Sequence, residues 1–192
     1  MSVDLRSARI IAVALAAVAV ASFVSLVIFF AVGGPFGTLN DVGNGMLALL
    51  CAALAVELHR RGWIVATTLA VAGTATAIVG SFLVISDTTG YFLAGLVSAF
   101  GFALVGCWLL VVSRSEDWPA SRLARAAGAV MALGLVNAAG ILQGLDDQDT
   151  APGWLLAAGI CWGGTYLLLP LWAIRLARSR EPPSRRATAL AG

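Results

Sequence analysis

The chain has 192 residues, of which 60% are hydrophobic and only 11% are charged, and its formal net charge is +2. Soluble domains are about 45–50% apolar and roughly 25% charged, so this composition excludes an ordinary soluble globular domain. The apolar stretches fill most of the length and leave no room for a separate soluble catalytic domain. Any function must therefore reside in these stretches, in their short connections or in the arginine-rich C-terminal tail.

Six apolar stretches are each long enough to cross a bilayer, which takes about 20 apolar residues in an α-helix. We therefore predict an all-α integral membrane bundle of six transmembrane helices with short loops, occupying residues 1–177. The first stretch follows Arg6 and Arg9, as in a signal peptide. Its apolar run exceeds the roughly 7–15 residues of a signal-peptide core, which favours a retained helix. The predicted spans are 10–32, 42–58, 63–85, 91–112, 123–145 and 153–174.

The distribution of charge predicts the orientation of the bundle. All twelve basic residues are arginines, and six spans place every one of them on the side of the two termini. The positive-inside rule then puts both termini in the cytoplasm. Five or seven spans would destroy this separation. An arginine-only basic composition rich in alanine, glycine and valine is typical of a GC-rich bacterial genome, so we expect a multi-pass protein of a bacterial cytoplasmic membrane.

The tail, residues 178–192, contains Pro182, Pro183 and few large apolar side chains, and we predict that it is disordered. Its arginines have two interpretations. They attract anionic lipid head groups at the inner leaflet, with about 1 kcal/mol for each arginine near the surface, or they serve only to fix the topology. We expect the lipid bilayer to be the main partner and expect no nucleic-acid partner.

Small residues recur at the spacing that allows close helix packing in a membrane. Gly140 and Gly144 form one such pair in the fifth span, and Gly159 and Gly163 form another in the sixth. Helix packing within the bundle is the ordinary interpretation of these stripes. The alternative is that one of them forms a face for a second copy or for another membrane protein. The third span carries a longer small-residue ridge, made of Ala66, Ala70, Thr74 and Ala77.

Residues that carry catalysis or bind metals are scarce. Cys51, Cys107 and Cys161 lie in three different spans without a Cys-x-x-Cys pair, which favours a role as small apolar residues. His59 is the only histidine and has no companion ligands at metal-binding spacing. We therefore expect neither an enzyme nor a protein with a cofactor or metal centre.

Polar residues converge on the side opposite the arginines. If the helices pack together, the carboxylates there would ring one mouth, concentrate cations and bind a cation or another substrate. The ordinary alternative is that these residues cap helices and solvate turns. The residues of this predicted vestibule are Asn40, Asp41, Asn44, Asp87, Asp146, Asp147 and Asp149.

Two features mark the interior of the fifth and sixth spans. Asn137 is the clearest polar residue inside the bilayer, and a buried amide needs a partner on another helix or in a cavity. Pro170 removes a backbone donor, so the carbonyl of Tyr166 loses its usual helical partner and a kink is expected. Such a kink is either static or a hinge.

Two functions fit these observations. The first is a small transport or permeation protein with an acidic extracytoplasmic mouth and a path past Asn137 and the kink at Pro170. The second is a non-catalytic interaction subunit, namely a scaffold, sensor or assembly factor that binds other helices or lipids. The sequence favours the first because of the polar side chains at the predicted mouth.

Overall fold

A computed structural model describes residues 5–59, 63–114 and 120–179 and shows a bundle of helices, six of which are long and apolar enough to cross a membrane. This arrangement is compatible with a multi-pass membrane protein. The helices are α1 (Leu5–Val32), α2 (Phe36–Glu57), α3 (Ile64–Ile85), α4 (Tyr91–Val112), α5 (Ser121–Leu142) and α6 (Gly153–Arg178). The predicted disorder of the tail concerns mainly residues 180–192, which lie outside the described residues.

The second helix begins earlier than the predicted residue 42. Gly33 and Gly34 have φ of +69° and +73° and make the whole turn after α1. Pro35 then caps α2, and Phe36 already belongs to the helix. A proline fits at a helix start because its missing N–H has no helical partner there. The predicted mouth residues Asn40, Asp41 and Asn44 therefore lie on a helix and not in a loop.

The six helices form a closed ring. Each helix packs against its neighbours in the chain, and α6 returns to pack against α1. At the end that holds the termini, Arg9 Nη2 donates to the Ser179 carbonyl at 2.8 Å. At the other end, Asp146 of the α5–α6 loop binds the start of α4 through the backbone N–H of Gly90. We call these the terminal end and the loop end.

Two glycine crossings bring α4 close to its neighbours. A Cβ added to Gly101 would lie 2.4 Å from the backbone nitrogen of Ala77, and Gly106 and Gly128 face each other in the same way between α4 and α5. Close backbone approach of this kind stabilises helix pairs in lipid. The predicted ridge on α3 is buried, from Ala66 at 3% exposure to Ala77 at 0%.

Three of the four glycines in the two predicted pairs do not pack against another helix of the bundle. Gly159 and Gly163 have open space where a side chain would be, so they do not pack within the bundle. Gly144 has φ of +63° and lies just after α5, where an added Cβ would meet nothing within 4 Å. Gly140 alone packs, against Leu155 and Leu96. The spacing of the glycines predicts close helix packing, but it does not show which face of each helix meets a neighbour.

The terminal half of the bundle is filled with apolar side chains. Trp108 of α4 and Trp172 of α6 are 2% and 0% exposed and meet edge to face at 6.1 Å. Leu54 and Leu109 are also fully buried in the same core. This packing leaves the loop half as the place where a cavity can form.

Candidate ligand-binding cavity

A cavity of about 300 Å³ lies in the loop half of the bundle. Its rim includes the exposed residues Phe30, Tyr91 and Gln148, whereas Asn137 and Tyr166 at its floor are buried. All six helices and the α5–α6 loop contribute to its wall. The lining residues are Leu26, Phe30, Asn40, Asp41, Asn44, Val84, Tyr91, Phe92, Ala94, Gly95, Leu96, Ser98, Ala99, Asn137, Gln148, Leu155, Gly159, Trp162 and Tyr166.

A buried hydrogen-bond cluster joins α2 and α6 at this cavity. The hydroxyl of Tyr166 lies 2.9 Å from Asn40 Oδ1 and 2.7 Å from Asn44 Oδ1. Asn40 and Asn44 are one helical turn apart, so their amides point from the same face of α2. The phenol has one proton and donates to one amide oxygen at a time. These three groups form a polar part of the cavity wall, whose other lining residues are mainly apolar.

The backbone of α6 is irregular where it carries Tyr166. Residues Gly164–Leu168 form a π-helical turn, and Pro170 follows within the first turn of the next α-helical stretch. A regular helix would press the proline ring against the carbonyl of residue 166, and a wider turn relieves this clash. π-Turns are frequent at functional sites. A π-turn thus stands where the sequence predicted a kink from Pro170, and the Tyr166 hydroxyl it carries belongs to the hydrogen-bond cluster at the cavity.

Asn137 lies at the matching break in α5. A 3₁₀ stretch at Leu133–Val136 precedes it, and its buried amide lines the cavity and hydrogen-bonds with Cys161 of α6. The prediction left two environments for this amide, a neighbouring helix and a cavity, and the structure places it at both. Cys51, Cys107 and Cys161 are all free thiols.

The five carboxylates of the predicted ring lie in different environments and do not surround one mouth. Asp41 alone lines the cavity, where its neighbour Asn40 is within hydrogen-bonding reach. Asp146 instead accepts from the backbone N–H groups of Gly90 at 2.7 Å and Leu93 at 3.2 Å. It therefore caps α4 from another loop, because the first N–H groups of a helix lack internal partners.

The other three predicted carboxylates lie on exposed turns. Asp147 Oδ1 accepts from the backbone N–H of Asp149 at 2.9 Å, and Asp87 has φ of +54° in the α3–α4 turn. Across the described parts of the chain, no three histidine, cysteine or acidic side chains are placed to hold a metal ion together. His59 lies at the terminal end and pairs with Thr67 at 2.8 Å.

Sequence reasoning missed the aromatic part of the site. Trp162 stacks on Tyr166 with ring centroids 5.3 Å apart and planes inclined by 14°. Tyr91 lines the rim of the same cavity. The available signal was the spacing of Trp162 and Tyr166, which are four residues apart and share a helix face.

No protein-family model, curated protein or solved structure matches this chain. Its function must therefore be inferred from the cavity itself.

Proposed function

We propose that this protein is a small transporter of a bacterial cytoplasmic membrane, that both termini are cytoplasmic, and that the cavity is its outward-facing solute site. The observation that carries the proposal is the buried Tyr166–Asn40–Asn44 cluster at the floor of a cavity inside an apolar bundle. Polar side chains inside a membrane are costly, and they generally face an interior site or a pathway. Helix packing alone would not need a cavity beside them.

The loop half of the bundle is open at the cavity and the terminal half is closed, which is the asymmetry that transport by alternating access requires. The cavity meets the loop end at the exposed residues Tyr91 and Gln148, while Trp108 and Trp172 fill the terminal half. A site open to one side and closed to the other is one state of such a cycle. Discontinuous helices near the site are a common element of transporters, and α5 and α6 are both irregular beside the cavity.

The proposal assigns the protein binding and movement of a solute and no catalysis. The cavity residues that could transfer a proton or attack a substrate are Asp41, Ser98, Tyr91 and Tyr166. The histidine that would activate a serine lies at the other end of the bundle, bound to Thr67.

A flux assay with a cavity-blocking variant tests the proposal. Gly95 lines the cavity and has open space at its Cβ position, so Gly95→Phe fills the cavity without a backbone clash. Gly163 also has open space but does not line the cavity, which makes Gly163→Phe the matched control. Proteoliposomes are assayed for uptake of glycerol, glycine, choline and K⁺.

We expect uptake of at least one solute above the level of empty liposomes, with Gly95→Phe reducing it to that level and Gly163→Phe leaving it unchanged. No uptake of any solute by correctly inserted protein would contradict the proposal. Equal inhibition by both variants would also contradict it, because the cavity would then have no special role.

A second candidate function is favoured by the outer face of α6. Gly163 has open space at its Cβ position and does not line the cavity, and Ile160 at 63% and Leu167 at 49% exposure lie near it on the same helix. Small uncovered residues let another membrane helix approach closely, which suits an interaction subunit that binds a second copy or a different membrane protein. Purification in mild detergent tests this role, since it predicts a stoichiometric partner that Gly163→Leu displaces.

A further inference from the structure

We propose that the occupant of the cavity is a small organic cation, with a primary or quaternary ammonium group held by the Asp41 carboxylate among aromatic rings. The inference rests on the proposed function, since it names the substrate class of the same cavity. It is carried by three observations: the sign of the charge in the wall, the number of aromatic rings around it, and the size of the cavity.

The charge in the wall is negative. Among the described residues that line the cavity, Asp41 is the only acidic one, and neither arginine nor histidine occurs. Asp41 shares the wall with Tyr91 at the rim and directly follows Asn40, whose amide oxygen accepts from the Tyr166 hydroxyl. Apolar walls strengthen the field of such a charge. The cavity therefore favours a cation over an anion, and the described lining offers no cationic side chain to the negative group of a zwitterion.

The remaining wall suits an ammonium group with carbon substituents. Phe30, Tyr91, Phe92, Trp162 and Tyr166 all line the cavity. Aromatic faces attract cations, most strongly for tryptophan, and aromatic cages are a general way to bind quaternary ammonium groups. The stacking of Trp162 on Tyr166 at 5.3 Å holds the indole in place before a ligand arrives. Asn40 and Asn44 add amide groups for a polar substituent on the same ligand.

The same wall is poorly suited to a bare metal ion. Divalent calcium takes about 6–8 oxygen ligands, yet Asp41 is the one carboxylate among the described lining residues. A cavity of about 300 Å³ is at the lower end of the range for small organic ligands and much larger than a dehydrated ion needs. Both facts favour an organic cation.

Titration calorimetry on the full-length protein in detergent micelles tests the inference with two probes of the same shape. Choline carries the quaternary ammonium group, and 3,3-dimethylbutan-1-ol replaces its charged nitrogen with carbon. We expect choline to bind and the neutral alcohol to bind at least about tenfold more weakly. This comparison needs no variant, so it is unaffected by any folding defect.

Two substitutions with controls locate the binding groups. Asp41→Asn keeps the shape of the side chain and should lower choline affinity about tenfold or more, whereas Asp149→Asn on the exposed turn should leave it unchanged. Trp162→Leu should weaken choline binding several-fold and leave binding of the neutral alcohol unchanged.

The outcomes separate this inference from transport itself. Equal binding of choline and the neutral alcohol would overturn the organic-cation assignment. Binding of K⁺ at the same site as tightly as choline would also overturn it. Choline binding without flux would support it and count against transport. Flux of glycerol or glycine by a protein that does not bind choline would support transport and overturn this inference.

Discussion

The hydroxyl of Tyr166 and Oδ1 of Asn44 lie 2.7 Å apart, although 122 positions separate the two residues in the chain. The bond joins α6 to α2 across the interior of the bundle, and its two groups are buried at 4% and 3% exposure. Burying both groups without partners would cost several kcal/mol in a medium that cannot hydrogen-bond. The pair therefore stabilises the fold and, at the same time, shapes the floor of the cavity.

Tyr166→Phe removes the donor and keeps the ring. We expect the free energy of unfolding to fall by about 1–3 kcal/mol, since the amide oxygens of Asn40 and Asn44 lose their bond to the hydroxyl. Denaturant titration of the protein in micelles measures the change. Tyr91→Phe removes the same atom from a side chain that is 43% exposed and should cost much less. Equal losses would mean that the buried cluster has no special stability.

Asp146→Ala removes the side chain that caps α4 from the α5–α6 loop. Loss of a helix cap typically costs about 0.5–2 kcal/mol, and we expect a decrease in this range. Amide hydrogen exchange should accelerate at Gly90 and Leu93, whose backbone N–H groups donate hydrogen bonds to the Asp146 carboxylate. Asp149→Ala is the matched control on the same turn. If exchange at Gly90 stayed unchanged, the cap would not exist in solution.

Gly101→Ala introduces a methyl group where α3 and α4 cross. The new Cβ would meet the backbone nitrogen of Ala77 at 2.4 Å, and backbone cannot move aside as a flexible side chain can. We expect a loss of about 1–3 kcal/mol in the free energy of unfolding. Gly95→Ala on the same helix meets open space and should leave stability unchanged or slightly higher. A tolerated Gly101→Ala would rule out this close crossing.

Pro170→Ala restores a backbone N–H within α6. The Tyr166 carbonyl regains a donor, the wide turn at Gly164–Leu168 can close to a regular helix, and the Tyr166 hydroxyl then leaves its position at Asn44. We expect solute uptake to fall about tenfold, equal to about 1.4 kcal/mol. The thermal midpoint should change little, because removal of the destabilising interior proline offsets the loss of the Tyr166 hydrogen bond.

Pro35→Ala controls for the loss of a proline, since Pro35 occupies the N-cap position of α2 and does not line the cavity. It should leave uptake unchanged. Uptake by Pro170→Ala at the full rate would show that the π-turn has no part in function and that the kink is static.

The predicted orientation is tested by labelling with a membrane-impermeant maleimide in intact cells. In a background with Cys51, Cys107 and Cys161 replaced by alanine, Asp149→Cys should react and Arg178→Cys should not, because the arginine side is retained in the cytoplasm. Permeabilised cells should show both reacting. The reverse pattern in intact cells would invert the topology and move the cavity to the cytoplasmic face.

The sequence predicted the helices better than it predicted the site. Five of the residues it singled out, Asn40, Asp41, Asn44, Asn137 and Tyr166, line one cavity. Their place at the predicted mouth identified Asn40, Asp41 and Asn44, polarity within an apolar span identified Asn137, and Tyr166 was singled out for its carbonyl. Capping was one of the two roles predicted for Asp146, but the helix that it caps and the role of Trp162 could not be predicted, because a carboxylate in a loop and an aromatic ring in a span are each compatible with several environments.

What the sequence by itself determined is the number of apolar helices, since hydropathy over about 20 residues depends only on local composition. The turn at Gly33 and Gly34 and the irregularity before Pro170 were likewise encoded locally, although the start of α2 was not. Only the tertiary structure decided which glycines meet, which carboxylate caps a helix and which one faces the cavity. These depend on the rotation of each helix against its neighbours, and that rotation is set by packing between segments far apart in the chain.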